Sequence, residues 1–365
     1  MINSKIIFIV VMYFFSQKVF SQEILKILPP EEGAYQGAFM DFGATAEEVT
    51  KERLVNYQNL TGKKSVWAYF ANDWLDGKIT FPTQSVDIIR QQNLIPIMRL
   101  LPWSEMLDHA NSADPIFSMK SFLQGKHDKA LHAYFNVAKD YGPIMMEFCP
   151  EVNGDWFPWN GRWNGGGVKS NYGHPELPDG PERFKDTYKR IIDIARSEGA
   201  NNITWIFHVD TGRSPEEEWN QIKYYYPGDE YIDWIGLSVF GAQLPTHEWS
   251  NFFLKLKGFV PELESLNTKN PWMISEFGVI ESKEGPAKKA QWLKYALQSV
   301  EKGMFKKVKG ITYWHSPGWL PNDEASFKID TSPESLAMFQ SEIKKEFWLT
   351  EPVISHSIKL SSDKK

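Results

Sequence analysis

The sequence is poor in several features that would point to particular classes of protein. It has 365 residues and a single cysteine, Cys149, so no disulfide can form within the chain. Cys149 lies inside an apolar run with no obvious base beside it, which predicts a buried packing residue rather than a nucleophile. Lys and Arg do not cluster with aromatic residues, and the formal net charge is −6, which argues against a nucleic-acid partner.

Sequence motifs of metal sites and of serine hydrolases are also absent. No set of His, Cys and Asp has the spacing of metal ligands, so we predict no metal and no cofactor. No Gly-x-Ser-x-Gly motif occurs, which argues against a serine nucleophile on a strand-to-helix turn. No internal repeat, linker or shift in composition divides the chain, and we therefore expect one large domain and a monomer.

The N-terminus carries a short hydrophobic run. Lys5 precedes the apolar residues 6–15, and residues 19–21 supply a small-residue segment before Gln22. The run is too short for a permanent transmembrane helix. This pattern is typical of a signal peptide over residues 1–21. We therefore predict an exported protein, periplasmic or secreted, whose mature chain begins near Gln22.

The sequence is rich in aromatic side chains, with 15 Trp, 14 Tyr and 24 Phe. Several tryptophans fall in polar loops that contain Gly and Pro, where packing in a core explains them poorly. These are Trp74, Trp103, Trp156, Trp159, Trp163 and Trp319. Flat indole faces stack well on pyranose rings, so we predict that this set of tryptophans faces a ligand.

A short apolar run, a loop and an amphipathic helix recur along the chain after Gln22. The runs are residues 35–40, 65–70, 94–100, 143–148, 202–208, 231–237, 272–275 and 308–314. Strands that alternate with helices predict an α/β protein with a parallel sheet. Eight such units fit a single (β/α)8 TIM barrel with enlarged βα loops over residues 22–350, followed by a polar C-terminal tail over residues 351–365.

A doubly wound open sheet is the alternative to the barrel. It would need a Gly-rich phosphate loop after an early strand, and the glycines at 165–167 follow no strand. Within the barrel pattern, we predict that the first helix begins at Thr45, because Glu48 three residues later has capping-box spacing. We also predict a helix over residues 214–225.

Two of the apolar runs lead into a glutamate. Glu151 follows the fourth run, and Glu276 lies at the end of the seventh. In a barrel of this kind the carboxyl ends of the strands face the active site. Hydrolysis of a glycosidic bond uses one carboxyl to protonate the leaving oxygen and a second to attack or stabilise the oxocarbenium-like centre. The two residues are therefore predicted as a catalytic pair, with a solvated loop carboxylate as the alternative for either one.

The segments around these glutamates resemble clan A glycoside hydrolases, and within the clan they resemble family 26. Residues 151–159, Glu-Val-Asn-Gly-Asp-Trp-Phe-Pro-Trp, are similar to the acid/base segment of that family, and residues 275–278, Ser-Glu-Phe-Gly, to its nucleophile segment. Residues 225–233 and 329–334 resemble two further segments. The resemblance implies a retaining (β/α)8 enzyme with Glu151 as acid/base and Glu276 as nucleophile.

The same resemblance implies a substrate class. Family 26 contains mainly endo-acting β-1,4-mannanases, and some members cleave mixed-linkage β-glucan or β-1,3-xylan instead. We therefore expect a plant or algal β-polysaccharide as the partner of this chain, with β-1,4-mannan favoured.

Three positions depart from the family pattern. Glu147 stands where the family carries Arg, Pro150 where it carries His, and Phe240 where a tyrosine normally touches the nucleophile. A lost hydroxyl and an added carboxylate should each raise the pKa of the nucleophile. We expect Arg99, near the end of the third run, to offset the added negative charge. The departures leave open a second hypothesis, a protein that binds a glycan but has lost turnover.

Other side chains near the ends of the runs are candidates for substrate binding. Trp314 is expected to form the platform under the sugar at the cleavage point, and Trp156 and Trp159 to serve neighbouring subsites. His208 and Asn153 are expected to bond to sugar hydroxyls, with a structural role as the alternative for each. The remaining candidates are Asp41, Asp73, Asp210, Arg99, Trp103 and Phe240.

Overall fold

Eight parallel strands close into a barrel at the centre of the molecule. The computed structural model describes residues 20–43, 45–105, 112–318, 320 and 324–361. After an N-terminal strand β1 (Phe20–Leu28), the barrel strands are β2 (Ala34–Met40), β3 (Trp67–Asp73), β4 (Ile95–Leu101), β5 (Ile144–Phe148), β6 (Ile203–Asp210), β7 (Trp234–Phe240), β8 (Trp272–Gly278) and β9 (Val308–His315). Each pairs with the next, and β9 pairs with β2. The predicted (β/α)8 barrel is confirmed, and the open sheet is excluded.

Helices surround the barrel and bury one face against it. They are α1 (Lys51–Thr61), α2 (Thr83–Gln91), α3 (Met119–Leu123), α4 (Asp128–Ala138), α5 (Asp179–Ser197), α6 (Phe252–Glu264), α7 (Ala287–Glu301) and α8 (Pro333–Ile343). The sequence of α5 shows why such a segment is helical. Its buried residues Phe184, Tyr188, Ile191 and Ala195 recur every three or four positions and form one apolar face.

The first helix begins later than its sequence predicts. Thr50 is the N-cap of α1, and its side chain accepts a hydrogen bond from the backbone N–H of Arg53. The predicted capping box at Thr45 and Glu48 is wrong. Glu48 lies before the helix and forms an ion pair with Arg53, with 2.8 Å between the charged atoms.

The predicted helix over residues 214–225 is also wrong. This segment contains only two short 3-10 turns, Glu218–Asn220 and Ile222–Tyr224. Tertiary partners satisfy its polar groups in place of helical bonds. The Asn220 side chain donates to the backbone oxygens of Asn153 and Pro215, and the N–H of Ile222 donates to Glu262 Oε1.

The barrel interior is filled by large side chains that need glycines opposite them. Trp67 is fully buried, and its indole N–H donates to Thr312 Oγ1 at 2.9 Å. A Cβ atom added at Gly37 would lie 2.1 Å from Trp67 Cδ1, and one added at Gly310 would lie 2.6 Å from Trp67 Cη2. The absence of a side chain at these two glycines therefore leaves the space that the indole occupies.

We expect Gly37→Ala to lower the free energy of unfolding by about 1–3 kcal/mol, because the new methyl group overpacks a core that cannot expand freely. Urea unfolding measures this change. The matched control is Gly258→Ala in α6, where an added Cβ would meet nothing within 4 Å. Because Ala favours a helix over Gly, the control should gain about 1 kcal/mol. Equal effects of the two substitutions would contradict this account of the barrel interior.

Two elements outside the barrel involve the chain ends. Strand β1 pairs in antiparallel register with β11 (Val353–Ser361), which lies within the predicted C-terminal tail. A short strand β10 (Trp348–Leu349) pairs with β2. Residues 1–19 of the predicted signal peptide lie outside the described residues. None of the helices within the described ranges is long and apolar enough to cross a membrane.

Candidate active site

An irregularity in β8 lies next to Glu276. Leu237 of β7 pairs with Ile274, but the following residue, Ser238, pairs with Glu276, so Ser275 is an extra residue in the register. The pairing of β8 with β9 also shifts between Ile274 and Phe277. Bulges redirect side chains relative to a regular strand. The Glu276 carboxylate reaches side chains of β3 and β4 across the barrel.

One oxygen of Glu276 accepts a hydrogen bond and also forms an ion pair. Tyr69, on β3, places its hydroxyl 2.9 Å from Glu276 Oε1, and an amino nitrogen of Arg99, on β4, lies 3.1 Å from the same atom. Glu276 is only 3% exposed. Burial raises the pKa of Glu276 to about 7 against the opposing charge of Arg99, and the negative charge of Glu151 adds to the rise. Within the described part of the chain, no donor binds Oε2.

Glu147 lies beside this pair and is fully buried. It is the register partner of Arg99 across β4 and β5, and their charged atoms are 3.6 Å apart. The Tyr69 hydroxyl lies 2.5 Å from Glu147 Oε1, and His208 Nδ1 lies 3.0 Å from Glu147 Oε2. Burial lowers the pKa of His208, but the charge of Glu147 and its hydrogen bond outweigh burial and raise it.

Glu151 lies in a loop whose backbone is held in place by buried side-chain amides. Its φ is +52°, in the left-handed region, and its side chain is 8% exposed. The indole N–H of Trp156 donates to Glu151 Oε2 at 2.9 Å. Asn153 Oδ1 accepts from the N–H of Asp210, and its amide N–H donates to the carbonyl of the same residue, both at 2.8 Å. Asn160 donates to the Val152 carbonyl at 2.7 Å, which fixes the other side of the loop.

Comparison with known proteins agrees with this fold. A family model described as Glycosyl hydrolase family 26 matches residues 104–276, a span that contains Glu147, Glu151 and Glu276. The chain is thus similar to this family over nearly half of its length. The resemblance to the family that the sequence predicted is confirmed by this match.

The names of individual relatives indicate different substrates. Endoglucanase H of Acetivibrio thermocellus is 28% identical over 300 residues, which cover 80% of this chain and 29% of that protein. A β-1,3-xylanase of an Alcaligenes species is 23% identical over 154 residues, covering 42% of this chain and 28% of that protein. This chain thus spans less than a third of these relatives. A solved endo-β-1,4-mannanase of Cellulomonas fimi is 17% identical, with a TM-score of 0.58 over 87% of this chain and 72% of its own.

Two of the residues predicted to bind substrate have polar atoms or a ring face in contact with other protein groups. Asn153 is fully buried, and both ends of its amide bond to Asp210, so it holds the loop instead of presenting an amide to a sugar. Trp159 is 1% exposed, stacks on Phe157 at 4.3 Å and donates to the carbonyl of Pro150. In this structure the partners of Asn153 and Trp159 are other groups of the protein, and their contacts with substrate stay predictions.

The other aromatic candidates differ in exposure. Trp156 is 39% exposed, and Trp103 is nearly buried with its indole N–H bonded to Asp73. Trp314 is 3% exposed, and one of its faces stacks on Phe39 at 4.3 Å. Of the tryptophans predicted to face a ligand, Trp74 is fully buried, and Trp319 lies outside the described residues.

The remaining polar candidates lie in different surroundings. His208 is 2% exposed, and its ring nitrogens lie beside Ser238 and Glu147. These contacts support the structural role that was the alternative to binding a sugar hydroxyl. Burial raises the pKa of Asp210 to about 7, and the negative charge of Glu151 contributes, which indicates that the two carboxyls are neighbours. Asp41 instead pairs with Lys328 and Arg53.

The main residue that the sequence did not reveal is Tyr69. It lies in the apolar strand segment 67–73, where an aromatic residue signals core packing. Its acceptors are far away in the chain: the hydroxyl of Tyr69 and the carboxylate of Glu276 are separated by 207 positions. Within the strand, only its alternation with Trp67 and Ala71 indicates a shared face. That alternation predicts on which face of the sheet the Tyr69 ring lies, but it does not identify the partners of the Tyr69 hydroxyl.

The fold also brings together a group of potential metal ligands that sequence spacing did not show. Ligand atoms of Glu147, His208 and Glu276 lie within 4.8 Å of one another. The guanidinium of Arg99 contacts two members of this group and already supplies positive charge there. This charge opposes a cation at the same place, so the arrangement favours proton chemistry over metal binding.

Stability of the folded protein should fall as pH rises from 5 to 8. Burial raises the pKa of both Asp73 and Glu276 to about 7, whereas the unfolded chain releases these protons near pH 4. Between these values the folded state binds more protons than the unfolded state, so stability decreases with pH. Urea unfolding at pH 5 and pH 8 measures this slope, and Glu276→Gln should make it shallower. An unchanged slope in the variant would contradict the raised pKa of Glu276.

Proposed function

We propose that the protein is an exported, retaining endo-β-glycosidase that uses Glu276 as nucleophile and Glu151 as general acid and base. The observation that carries this proposal is the asymmetric environment of Glu276. Tyr69 and Arg99 bind Oε1, which orients the carboxylate and leaves Oε2 for attack on the anomeric carbon. Attack gives a covalent glycosyl-enzyme, which water then hydrolyses with net retention.

The surroundings of Glu151 support its role as the group that moves protons. It lies at the carboxyl end of the barrel strands, where active sites of this fold lie, and it retains some exposure to solvent. Trp156 donates to one of its oxygens and is itself 39% exposed, so an indole face next to the carboxyl is available to a sugar ring. The other oxygen would protonate the leaving group and later accept a proton from water.

For the substrate we propose a plant or algal β-polysaccharide, with β-1,4-mannan first. The acid/base segment 151–159 supports mannan because it is the part of the sequence most similar to family 26. A β-glucan or β-1,3-xylan is the second candidate, since curated relatives bear the names endoglucanase and β-1,3-xylanase. The proposal of export depends on the signal-peptide pattern of residues 1–21.

A glycan-binding protein without turnover is the competing function. The substitutions at Glu147, Pro150 and Phe240 first suggested it. Both carboxylates are nevertheless present, and Tyr69 supplies a hydroxyl to Glu276 that Phe240 cannot. These features favour hydrolysis.

The decisive experiment is incubation of the purified protein with β-mannan, mixed-linkage β-glucan, β-1,4- and β-1,3-xylan and algal galactans. New reducing ends together with a rapid fall in polymer length would support endo-hydrolysis and identify the backbone. Proton NMR of the first products should show the β-anomer, as expected for retention. Binding to a polysaccharide without new reducing ends would instead support the glycan-binding alternative.

A further inference from the structure

The nucleophile position lacks one hydroxyl of the family pattern and receives another from a different strand. Phe240, at the end of β7, packs edge-on against Trp314 and Phe327, with ring centroids 6.5 and 5.5 Å away. The hydroxyl that reaches Glu276 belongs to Tyr69 on β3, which is separated from β8 by β9 and β2 around the barrel. Tyr69 is fully buried, so it does not contact solvent.

The Tyr69 hydroxyl has two carboxylates as acceptors but only one proton. Its oxygen lies 2.5 Å from Glu147 Oε1 and 2.9 Å from Glu276 Oε1. A phenol can donate one full hydrogen bond, and a buried acceptor without a donor is costly. When both carboxyls are ionised, the proton must therefore favour one of them, and loss of the charge on Glu276 would turn it toward Glu147.

Two basic side chains lie beside the carboxylates around this hydroxyl. Arg99 contacts Glu276 at 3.1 Å and Glu147 at 3.6 Å, and His208 contacts Glu147 at 3.0 Å. The charged and titratable groups that act on Glu276 are Arg99 from β4, Glu147 from β5, His208 from β6 and Glu151 from the loop after β5. Glu147 thus has the side chains of Arg99 and His208 beside it in addition to Tyr69.

A nucleophilic serine is the other chemistry that this network could suggest. His208 Nε2 lies 2.9 Å from Ser238 Oγ, and its Nδ1 faces Glu147, which is the order of a serine hydrolase triad. Ser238 is fully buried in β7, so its hydroxyl cannot reach a substrate. We therefore take Ser238 as the group that holds the His208 ring in place.

We propose that Tyr69 is the positioning residue of the nucleophile, and that Glu147 is the second acceptor of its proton during the reaction cycle. This inference rests on the proposed function, because it takes Glu276 as the nucleophile. When Oε2 of Glu276 bonds to the anomeric carbon and the leaving group departs, the carboxylate loses its charge and Oε1 becomes a weaker acceptor. The O–H of Tyr69 then turns to Glu147. It returns to Glu276 when water releases the sugar, and no proton leaves Tyr69.

The test uses Tyr69→Phe and Glu147→Gln, with Tyr134→Phe as the matched control. Tyr134 is also buried and also donates its hydroxyl to a side chain, Asn72 Oδ1 at 3.0 Å, but it lies on α4. The substrate is the 2,4-dinitrophenyl β-mannobioside or β-cellobioside, whichever the wild type cleaves. The acidic limb of kcat/KM against pH reports the ionisation of the nucleophile in the free enzyme.

Opposite shifts of that limb are expected from the two substitutions. Tyr69→Phe removes a donor from the Glu276 carboxylate, so the limb should move up by about one pH unit, and kcat should fall by about 10²-fold with little change in KM. Glu147→Gln removes a negative charge near Glu276 and offers the Tyr69 hydroxyl a weaker acceptor, and both effects should move the limb down. Tyr134→Phe should leave the limb unchanged.

Limbs that stay in place, or that move in the same direction in both variants, would overturn the proposal. If Tyr69→Phe does not fold, 3-fluorotyrosine at position 69 replaces it: its more acidic hydroxyl donates more strongly to Glu276 and should move the limb down, and an unmoved limb would overturn the proposal. Labelling with a 2-deoxy-2-fluoro glycoside that carries a good leaving group distinguishes failure of the Tyr69 proposal from failure of the proposed function. A label that mass spectrometry maps to Glu276, together with unmoved limbs, would refute only the role of Tyr69. A label elsewhere would refute the assignment of the nucleophile.

Discussion

Glu276→Ala should lower turnover of the polysaccharide by about 10⁴-fold or more, because no other described group is placed to form the glycosyl-enzyme. Folding and glycan binding should survive, since the carboxyl that is removed is buried and costly to ionise. The measurements are the initial rate of reducing-end formation, circular dichroism, and calorimetric titration with an oligosaccharide of the substrate.

The matched control for this variant is Glu342→Ala. Glu342 is also a buried carboxylate, but it lies on α8 and bonds to Lys345 and Gln298. Its loss should change stability and leave the rate constant unaltered. Activity of Glu276→Ala within a few-fold of the wild type would exclude Glu276 as the nucleophile and would redirect attention to the other carboxyls of the site.

Glu151→Ala should slow cleavage of the natural polysaccharide severely, while an aryl glycoside with a good leaving group should form the glycosyl-enzyme at a much less affected rate. The reason is that such a leaving group needs little protonation. Release of the sugar then becomes limiting, because no base activates water. Azide needs no base, so it should restore turnover of the aryl glycoside and give a β-glycosyl azide, which NMR identifies.

The configuration of the glycosyl azide and the restoration of turnover by azide test different parts of this assignment. An α-glycosyl azide would show that the two carboxyls are arranged for inversion. Absence of rescue would remove Glu151 from the role of acid and base. Glu147 is a poor substitute for it, because it is fully buried and occupied by Tyr69 and His208. Asp155→Asn, on the same loop and paired with Arg162, is the control and should retain activity.

Local patterns were sufficient where one short segment determines its own structure. Each barrel strand is buried along nearly its whole length, so a short apolar run between helices is enough to predict it. The carboxyl ends of parallel strands meet at one end of a barrel, and this places Glu151 and Glu276 at the same site before any contact is known.

Local patterns failed where distant partners compete with them. Thr45 and Glu48 have capping-box spacing, but Glu48 pairs with Arg53 and the helix begins after Thr50. Residues 214–225 have helical character, but Asn220 bonds to the neighbouring loop instead. Polar and aromatic residues such as Asn153 look like ligand contacts in a loop, and the sequence does not reveal that other backbone groups bind them first.

By itself, the sequence determined the barrel and the two candidate catalytic glutamates. The apolar strands and the segments around Glu151 and Glu276 are short stretches of consecutive residues, so they can be recognised without knowledge of tertiary contacts. The tertiary structure alone decided how Glu276 is held. Tyr69 and Glu147 come from strands far from β8 in the chain, and a hydrogen bond depends on angles and distances that only the closed barrel fixes. The loss of a hydroxyl at Phe240 was visible in the sequence, but its replacement by Tyr69 was not.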